Sequence, residues 1–430
     1  MDIEAVKSEL KSLKAEKGQI ARQFKQVESG SAEHATLIEQ MQQVSSRVKD
    51  LETEQKRLLK AQNEDEEAAS PVRVLPGQFA APEEAFQGDF SVSRIAADAI
   101  PDAWWHFVAE HKQASVYHSR AVWDFLRAQP HASAELLLAK NDKDQIVGGL
   151  PLIFMVTPLM GTFAVSLPFF NYGGPLTRFT NVFDALLEVC DTESKKEDIK
   201  YIEVRTLAKG KFEASTKKVS MLRAMPDTYE QFDREIGTKI RAQVKKGDTY
   251  QPRLRIGGIE LLDDYYDVFA QNMRDLGTPV DSKAFFEALL KAMPEQCHIA
   301  VAYINDKPVA TGFLLEHGKM MEIPWASTLR EANSMNMNMW LYDRILKFSI
   351  DRKMHWFDFG RSTQDAGTYR FKKQWGAEPQ QYYWYNFSKE AGGDSLNPDN
   401  PKFKMAIAVW QRLPVWLTKI IGPYVARQLP

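Results

Sequence analysis

ELLLAKNDKDQIVGGLPLIF, residues 135–154, and HIAVAYINDKPVATGFLLEH, residues 298–317, decide how this chain folds. Each opens on an apolar run, crosses an Asn-Asp-Lys turn and continues into a second run broken by small residues, the pattern of a β-hairpin. The downstream elements also repeat in order. The first copy leads to AVSLPFFNYGGPL (164–176), a helical stretch to Lys196 and IKYIEVRT (199–206). The second leads to MEIPWAST (321–328), a helical stretch from Glu331 to Lys353 and MHWFDFGRS (354–362). Both series close on an acid flanked by apolar residues, then an arginine and a hydroxyl: Glu203 with Arg205-Thr206, and Asp358 with Arg361-Ser362. Four elements recurring in one order point to two homologous halves of mixed α/β architecture.

At 430 residues, with 44% hydrophobic and 26% charged residues, the chain is ordinary globular protein and long enough for more than one folded unit. A formal net charge of -2 gives no global attraction to nucleic acid, so any such contact needs a local basic patch. Cys190 and Cys297 lie far apart and form no CxxC pair, which predicts buried thiols in a reduced compartment. MDIEAVKSEL carries acids where a secretory signal needs positive charge, and the run IVGGLPLIFMV (146–156) falls short of the roughly 20 residues of a spanning helix. These features predict a cytoplasmic protein.

Residues 1–62 place apolar side chains at heptad-like steps: Ile3, Val6, Leu10, Leu13, Ile20, Phe24 and Val27, then Ile38, Met41, Val44, Val48, Leu51 and Leu58. Two helices turning at Gly30 would form an antiparallel coiled-coil hairpin. Its charged faces read as a solvated surface or a dimerisation arm; as the alternative, LKAEKGQIARQF (13–24) is similar to the tRNA-binding helical arm of seryl-tRNA synthetase. Residues 63–88, with acids, prolines and small residues, read as a linker. The expected domains are then 89–235 and 236–390, followed by a tail, 391–430. The tail mixes Trp410 and Trp416 with Lys404, Arg412, Lys419 and Arg427. It reads as a helix docked on the body or as a basic amphipathic helix on the inner face of a membrane.

A hairpin leading to strand, helix and strand resembles the core of the GNAT acyltransferase fold, and two such domains with a helical hairpin resemble the FemAB family. Three stretches carry the resemblance: KIRAQVKKG (239–247), LPFFNYGGPL (167–176) and FGRSTQDAGTYRFKKQWGAEP (359–379). It is closest to the FemAB-like subgroup found with exosortase (PEP-CTERM) and exopolysaccharide systems. The resemblance implies transfer of an aminoacyl or acyl group onto an amine of a cell-envelope precursor, such as one of peptidoglycan, with no tightly bound cofactor. Aminoacyl-tRNA is the implied donor, and the acceptor is nucleotide- or lipid-linked. It implies that Lys372 meets the oxyanion or the phosphate region of the donor, and that Arg241, with Lys239 and Lys245, grips the acceptor's pyrophosphate. Plainer readings stand beside these: a solvated lysine pair at Lys372-Lys373 and a solvated charge run at 239–246.

Acyl transfer to an amine needs positioning, donors facing the developing oxyanion and a group to take a proton. Asp358, opposite in face to Phe357 and Phe359, is the candidate acceptor of that proton, with a structural hydrogen bond as the plainer role. Gly360 would let backbone approach a ligand that Arg361 and Ser362 contact. Asn171, Tyr172 and Gly174 form an acceptor pocket or simply turn the chain. Tyr369, Phe371 and Trp375 wall an acyl slot or belong to the core, and Gly376 caps the helix. STLREANSMNMNM (327–339) has no glycine where CoA-binding GNAT enzymes carry a glycine-rich loop, so acyl-CoA is the less favoured donor. No HExxH, CxxC, GxSxG or P-loop spacing is present, so no metal is expected. Two rival readings remain: a CoA-dependent N-acyltransferase, and a non-catalytic scaffold recruiting partners through its coiled coil.

Overall fold

A computed structural model describes residues 3–24, 27, 31–69, 73–158, 161–389 and 401–426. The chain forms two compact units, Met1–Arg73 and Val74–Pro430. The first is a pair of helices, Ile3–Gln23 and Ala32–Ala69, so helix continues into the stretch that sequence composition marks as linker. Val6, Leu10, Ile20, Val44, Val48 and Leu51 are buried between them as the spacing predicts. Leu37 fills the place expected of Ile38, whose side chain is 41% exposed. The pairing runs antiparallel: the rings of Phe24 and His34 lie 5.5 Å apart, and Arg47 meets Glu9 at 2.9 Å.

Among the described residues, thirteen strands build two sheets in the second unit. β1 (Phe90–Ala96), β2 (Ala132–Asn141), β3 (Ile146–Thr157), β4 (Gly161–Val165) and β5 (Ile199–Thr206) form the first sheet in chain order. β6 is Lys218–Ala224. β7 (Arg253–Gly257), β8 (Cys297–Ile304), β9 (Lys307–His317), β10 (Met320–Thr328) and β11 (Trp356–Thr363) repeat that order in the second. β12 and β13 are Glu378–Gln381 and Tyr383–Ser388. The hairpins expected from the sequence are β2–β3 and β8–β9, and β4 and β10 run parallel to β5 and β11. Helices Thr180–Glu193 and Met337–Asp351 occupy matching places between the parallel strands.

The two halves exchange their last strands. β6 pairs antiparallel with β11 and lies between it and β12, while β13 pairs antiparallel with β5 and closes the first sheet. A cut between residues 235 and 236 would part both strands from their neighbours. One face of each sheet packs on its own helix, through Phe183 and Leu187 in the first half and Trp340 and Leu346 in the second. The largest apolar cluster belongs to both halves at once, joining Tyr117, Phe163 and Phe170 to Tyr265, Phe286 and Phe313. Burying side chains of this size stabilises by roughly 1.5–3 kcal/mol each. Cys190 and Cys297 are buried free thiols.

Of the expected linker, 63–88, residues 74–88 run along the second unit. Val74 O accepts from Trp356 Nε1 at 2.9 Å, Ala80 O from Gln113 Nε2 at 2.7 Å, and Glu84 bridges Phe179. In the tail, residues 391–400 and 427–430 lie outside the described residues; helices Pro401–Trp410 and Val415–Ala426 occupy the rest. No described helix is long and apolar enough to cross a membrane.

Candidate functional site

The second half opens a site where two parallel strands part. β10 and β11 pair only over Met320–Glu322 and Trp356–Asp358, with Glu322 opposite Asp358. Just beyond the two acids both strands bulge: β10 shifts register against β9 between Glu322 and Trp325, and β11 against β6 between Asp358 and Arg361. A bulge adds an unpaired residue and bends its strand. In β11 the added residue is Gly360, at φ 73°. An L side chain resists that conformation, and a Cβ there would stand 3.2 Å from Ile323 O.

That glycine separates the fates of two matching acids. In IEVRT the acid and the arginine are two apart, on one strand face, and Arg205 Nε bonds Glu203 Oε1 at 2.6 Å. In FDFGRS the glycine makes the interval three, and among the described residues no arginine reaches Asp358. Asp358 is wholly buried; its Oδ1 accepts from Ser220 Oγ at 2.6 Å and from Gly360 N at 2.7 Å, while Oδ2 has no partner. Burial, reinforced by the charge of Glu322, pushes the Asp358 carboxyl up to about 7.

The first half also parts after Val165 and Glu203 but closes the gap with its own backbone. Ser166 N bonds Glu203 O and Gly173 N bonds Arg205 O, each at 2.9 Å. In the second half the gap between β10 and β11 is not bridged in this way, and a side chain takes up carbonyls of β11 instead. Lys372, on helix Gly367–Gln374, is buried, and its ammonium donates to Gly360 O and Arg361 O, each at 2.9 Å. Two of its three N–H groups are thus committed to the bulge. Burial lowers the Lys372 ammonium to about 8, against the opposing pull of Asp358.

Side chains of the first half complete the cluster. Asn171 Nδ2 donates to Glu322 Oε1 at 2.9 Å, and Tyr117 OH to Glu322 Oε2 at 2.6 Å; His317 Nε2 lies 2.8 Å from the same oxygen. Tyr172 and Tyr382 stack with centroids 6.4 Å apart, and burial pushes both phenols well above their ordinary range. Neither hydroxyl completes a hydrogen bond, although Gln78 reaches toward the first and Ser220 toward the second. Asp358 Oδ2 and the two hydroxyls are therefore buried polar atoms left unpartnered in one charged cluster. Buried groups left so cost free energy, which a polar occupant would recover. Tyr172 also lines a cavity of about 30 Å³ with Gly174, His118 and Gln78, room for a water molecule or two.

The structure thus gathers Asp358, Lys372, Asn171 and Tyr172, and adds Glu322, Tyr117, His317, Ser220 and Tyr382, which sequence reasoning does not single out. Glu322 has a visible signal: an acid in the otherwise apolar run MMEIPW (320–325). Gly174 packs against β5, where a Cβ would meet Thr206 Cβ at 2.5 Å, so its glycine serves close approach. Ser362 is buried with its hydroxyl unpartnered. Arg361 is exposed and, with Arg205, clasps Trp384; the two guanidinium carbons lie 5.3 and 4.8 Å from the ring.

Tyr369, Phe371 and Trp375 pack in the second half's core, Phe371 and Trp375 against Tyr342 at 5.1 and 6.4 Å. Gly376, at φ 79°, ends the helix as expected. Arg241 and Lys245 line a separate groove of about 390 Å³ with Asp248, Asp343 and Arg344; Arg241 is tied to Asp233 O, and Lys239 is exposed. Among the described residues no His, Cys, Asp and Glu group is arranged to hold a metal.

Residues 234–373 match the profile of an acetyltransferase (GNAT) domain. No curated protein matches the chain. Among solved structures, FemX is similar at 12% identity, covering 68% of this chain and 97% of its own, with a TM-score of 0.50. A tandem GNAT protein from the clavulanic acid biosynthesis pathway is similar at 11% identity, covering 70% and 100%, with a TM-score of 0.45. Saccharomyces cerevisiae N-myristoyltransferase with bound myristoyl-CoA is similar at 12% identity, covering 75% and 84%, with a TM-score of 0.43. Residues 234–373 are thus matched to a GNAT acetyltransferase domain, and they lie in the second of two matching mixed α/β halves.

Proposed function

We propose that this protein is an acyltransferase that moves an aminoacyl or acyl group onto an amine of a cell-envelope or exopolysaccharide precursor, with Asp358 taking the proton of the attacking amine. The observation that carries this reading is the unpartnered Oδ2 of Asp358, on a carboxyl raised to about 7, at the point where β10 and β11 part. A base needs a free lone pair and a pKa near working pH, and burial supplies the second. The diverging strands leave backbone groups that an extended, amide-bearing donor could meet as an added strand. The hydroxyls of Tyr172 and Tyr382, both kept protonated by burial, are the donors nearest in kind to what a developing oxyanion needs. Lys372 acts in this reading by fixing the Gly360 bulge and so the direction of Asp358.

The resemblance of the sequence motifs to the FemAB family supports the aminoacyl branch and tRNA as donor, while the likeness to FemX is one of fold. The GNAT domain match supports the second reading, an acyl-CoA donor. Transfer from labelled aminoacyl-tRNA and from acyl-CoA to a panel of amine-bearing envelope precursors separates them. Asp358→Asn should lower the rate by roughly 10²–10⁴ with the fold intact, because an amide oxygen still accepts from Ser220 and Gly360. Full activity in that variant would overturn the assignment.

A further inference from the structure

We propose that the outward face of the two C-terminal helices lies on an anionic membrane surface. Helix Val415–Ala426 docks on helix Leu262–Leu276, with Lys419 reaching Asp267; its Thr418, Gly422 and Pro423 are buried, Gly422 against Val280. Helix Pro401–Trp410 turns Ile407 against Gly277, Gln411 bonds Asp275 O at 3.2 Å, and Leu413 O accepts from Arg274 at 3.0 Å. Docking is thus satisfied by one side of each helix.

The other side is left apolar and open. Trp416, Ile420 and Tyr424, at steps of four, are 64%, 57% and 68% exposed, and Met405 and Val409, also four apart, are 70% and 55% exposed. Residues four apart share a helix face. Five large apolar side chains in so short a stretch, including a tryptophan and a tyrosine, have the composition of an interfacial helix, whose aromatic rings settle among lipid headgroups. The charge balance names the occupant. Besides Lys419, which Asp267 engages, residues 401–430 contain Lys402, Lys404, Arg412 and Arg427 and no acid, whereas the whole chain carries -2. These four cations with no acid among them, on a mildly acidic protein, complement anionic lipid. The inference is independent of the acyl-transfer reading.

The test uses the full chain with phosphatidylcholine vesicles with and without phosphatidylglycerol, read by co-sedimentation and by tryptophan fluorescence. Vesicles containing phosphatidylglycerol should bind the protein at least roughly tenfold more tightly, with the advantage lost at high salt. Trp416→Asp and Ile420→Asp, both at exposed positions, should each weaken that binding roughly tenfold while leaving the thermal transition unchanged. Absence of vesicle binding, or binding that both variants retain, would overturn the proposal. So would a concentration-dependent dimer abolished by the same substitutions, since the face would then belong to a second copy of the chain.

Discussion

Asp358 is held on one oxygen and left free on the other, and its ionisation is what the medium can change. Its carboxylate fills as pH rises through about 7, and the Lys372 ammonium empties above about 8. Transfer activity should therefore show a narrow maximum between those values, the two limbs belonging to the interacting pair. Glu322→Gln removes the like charge that helps raise Asp358, so the acidic limb should move to lower pH; an unmoved limb in the pH–rate profile would refute the coupling. Stability carries the opposite sign. A carboxyl raised above its ordinary value of 3.8 destabilises the fold progressively as pH climbs from there to about 7, and fully above it. Asp358→Asn should accordingly gain thermal stability relative to the parent at pH 8 and much less near pH 4, by paired melting curves. The aspartate, the lysine and the NYGG residues are legible as candidates in sequence. Glu322 shows only as an acid in an apolar run, and Tyr117 and Tyr382 carry no signal, because which groups such residues meet is settled only once the strands and the segments beside them are packed.

The β11 bulge and its lysine form one element. Gly360 takes a left-handed conformation to release two carbonyls from the ladder, and Lys372 takes them up. Gly360→Ala should cost roughly 1–2 kcal/mol from backbone strain alone. Lys372→Met should cost roughly 1–3 kcal/mol for each carbonyl it abandons. Urea denaturation measures both; a neutral Lys372→Met would mean that water replaces the ammonium without loss. At this scale much is legible in the sequence: the hairpins, the order of strand, helix and strand, and the terminating glycine at 376 come from alternation and cap chemistry. The Lys372–Lys373 pair reads there as either a solvated face or a substrate contact. The fold gives the first lysine a third task, because the partner carbonyls exist only where β10 and β11 have parted.

Across the whole molecule, the exchange of β6 and β13 ties the halves into one compact unit with a common apolar cluster. Residues 74–430 should unfold in a single cooperative transition, while 89–235 and 236–390 expressed apart should fail to fold, each lacking a strand held by the other. Calorimetry of the three fragments checks this, and two independently folded halves would refute it. Length, hydrophobic period, turn chemistry and internal repetition sufficed to determine two mixed α/β halves and the helical pair before them, since these depend on neighbours a few residues away. Which half keeps an uncompensated acid, which strands change sheets and which helix face is left uncovered were decided by tertiary structure, because partners hundreds of residues apart set the burial, the charge balance and the unmet hydrogen bonds.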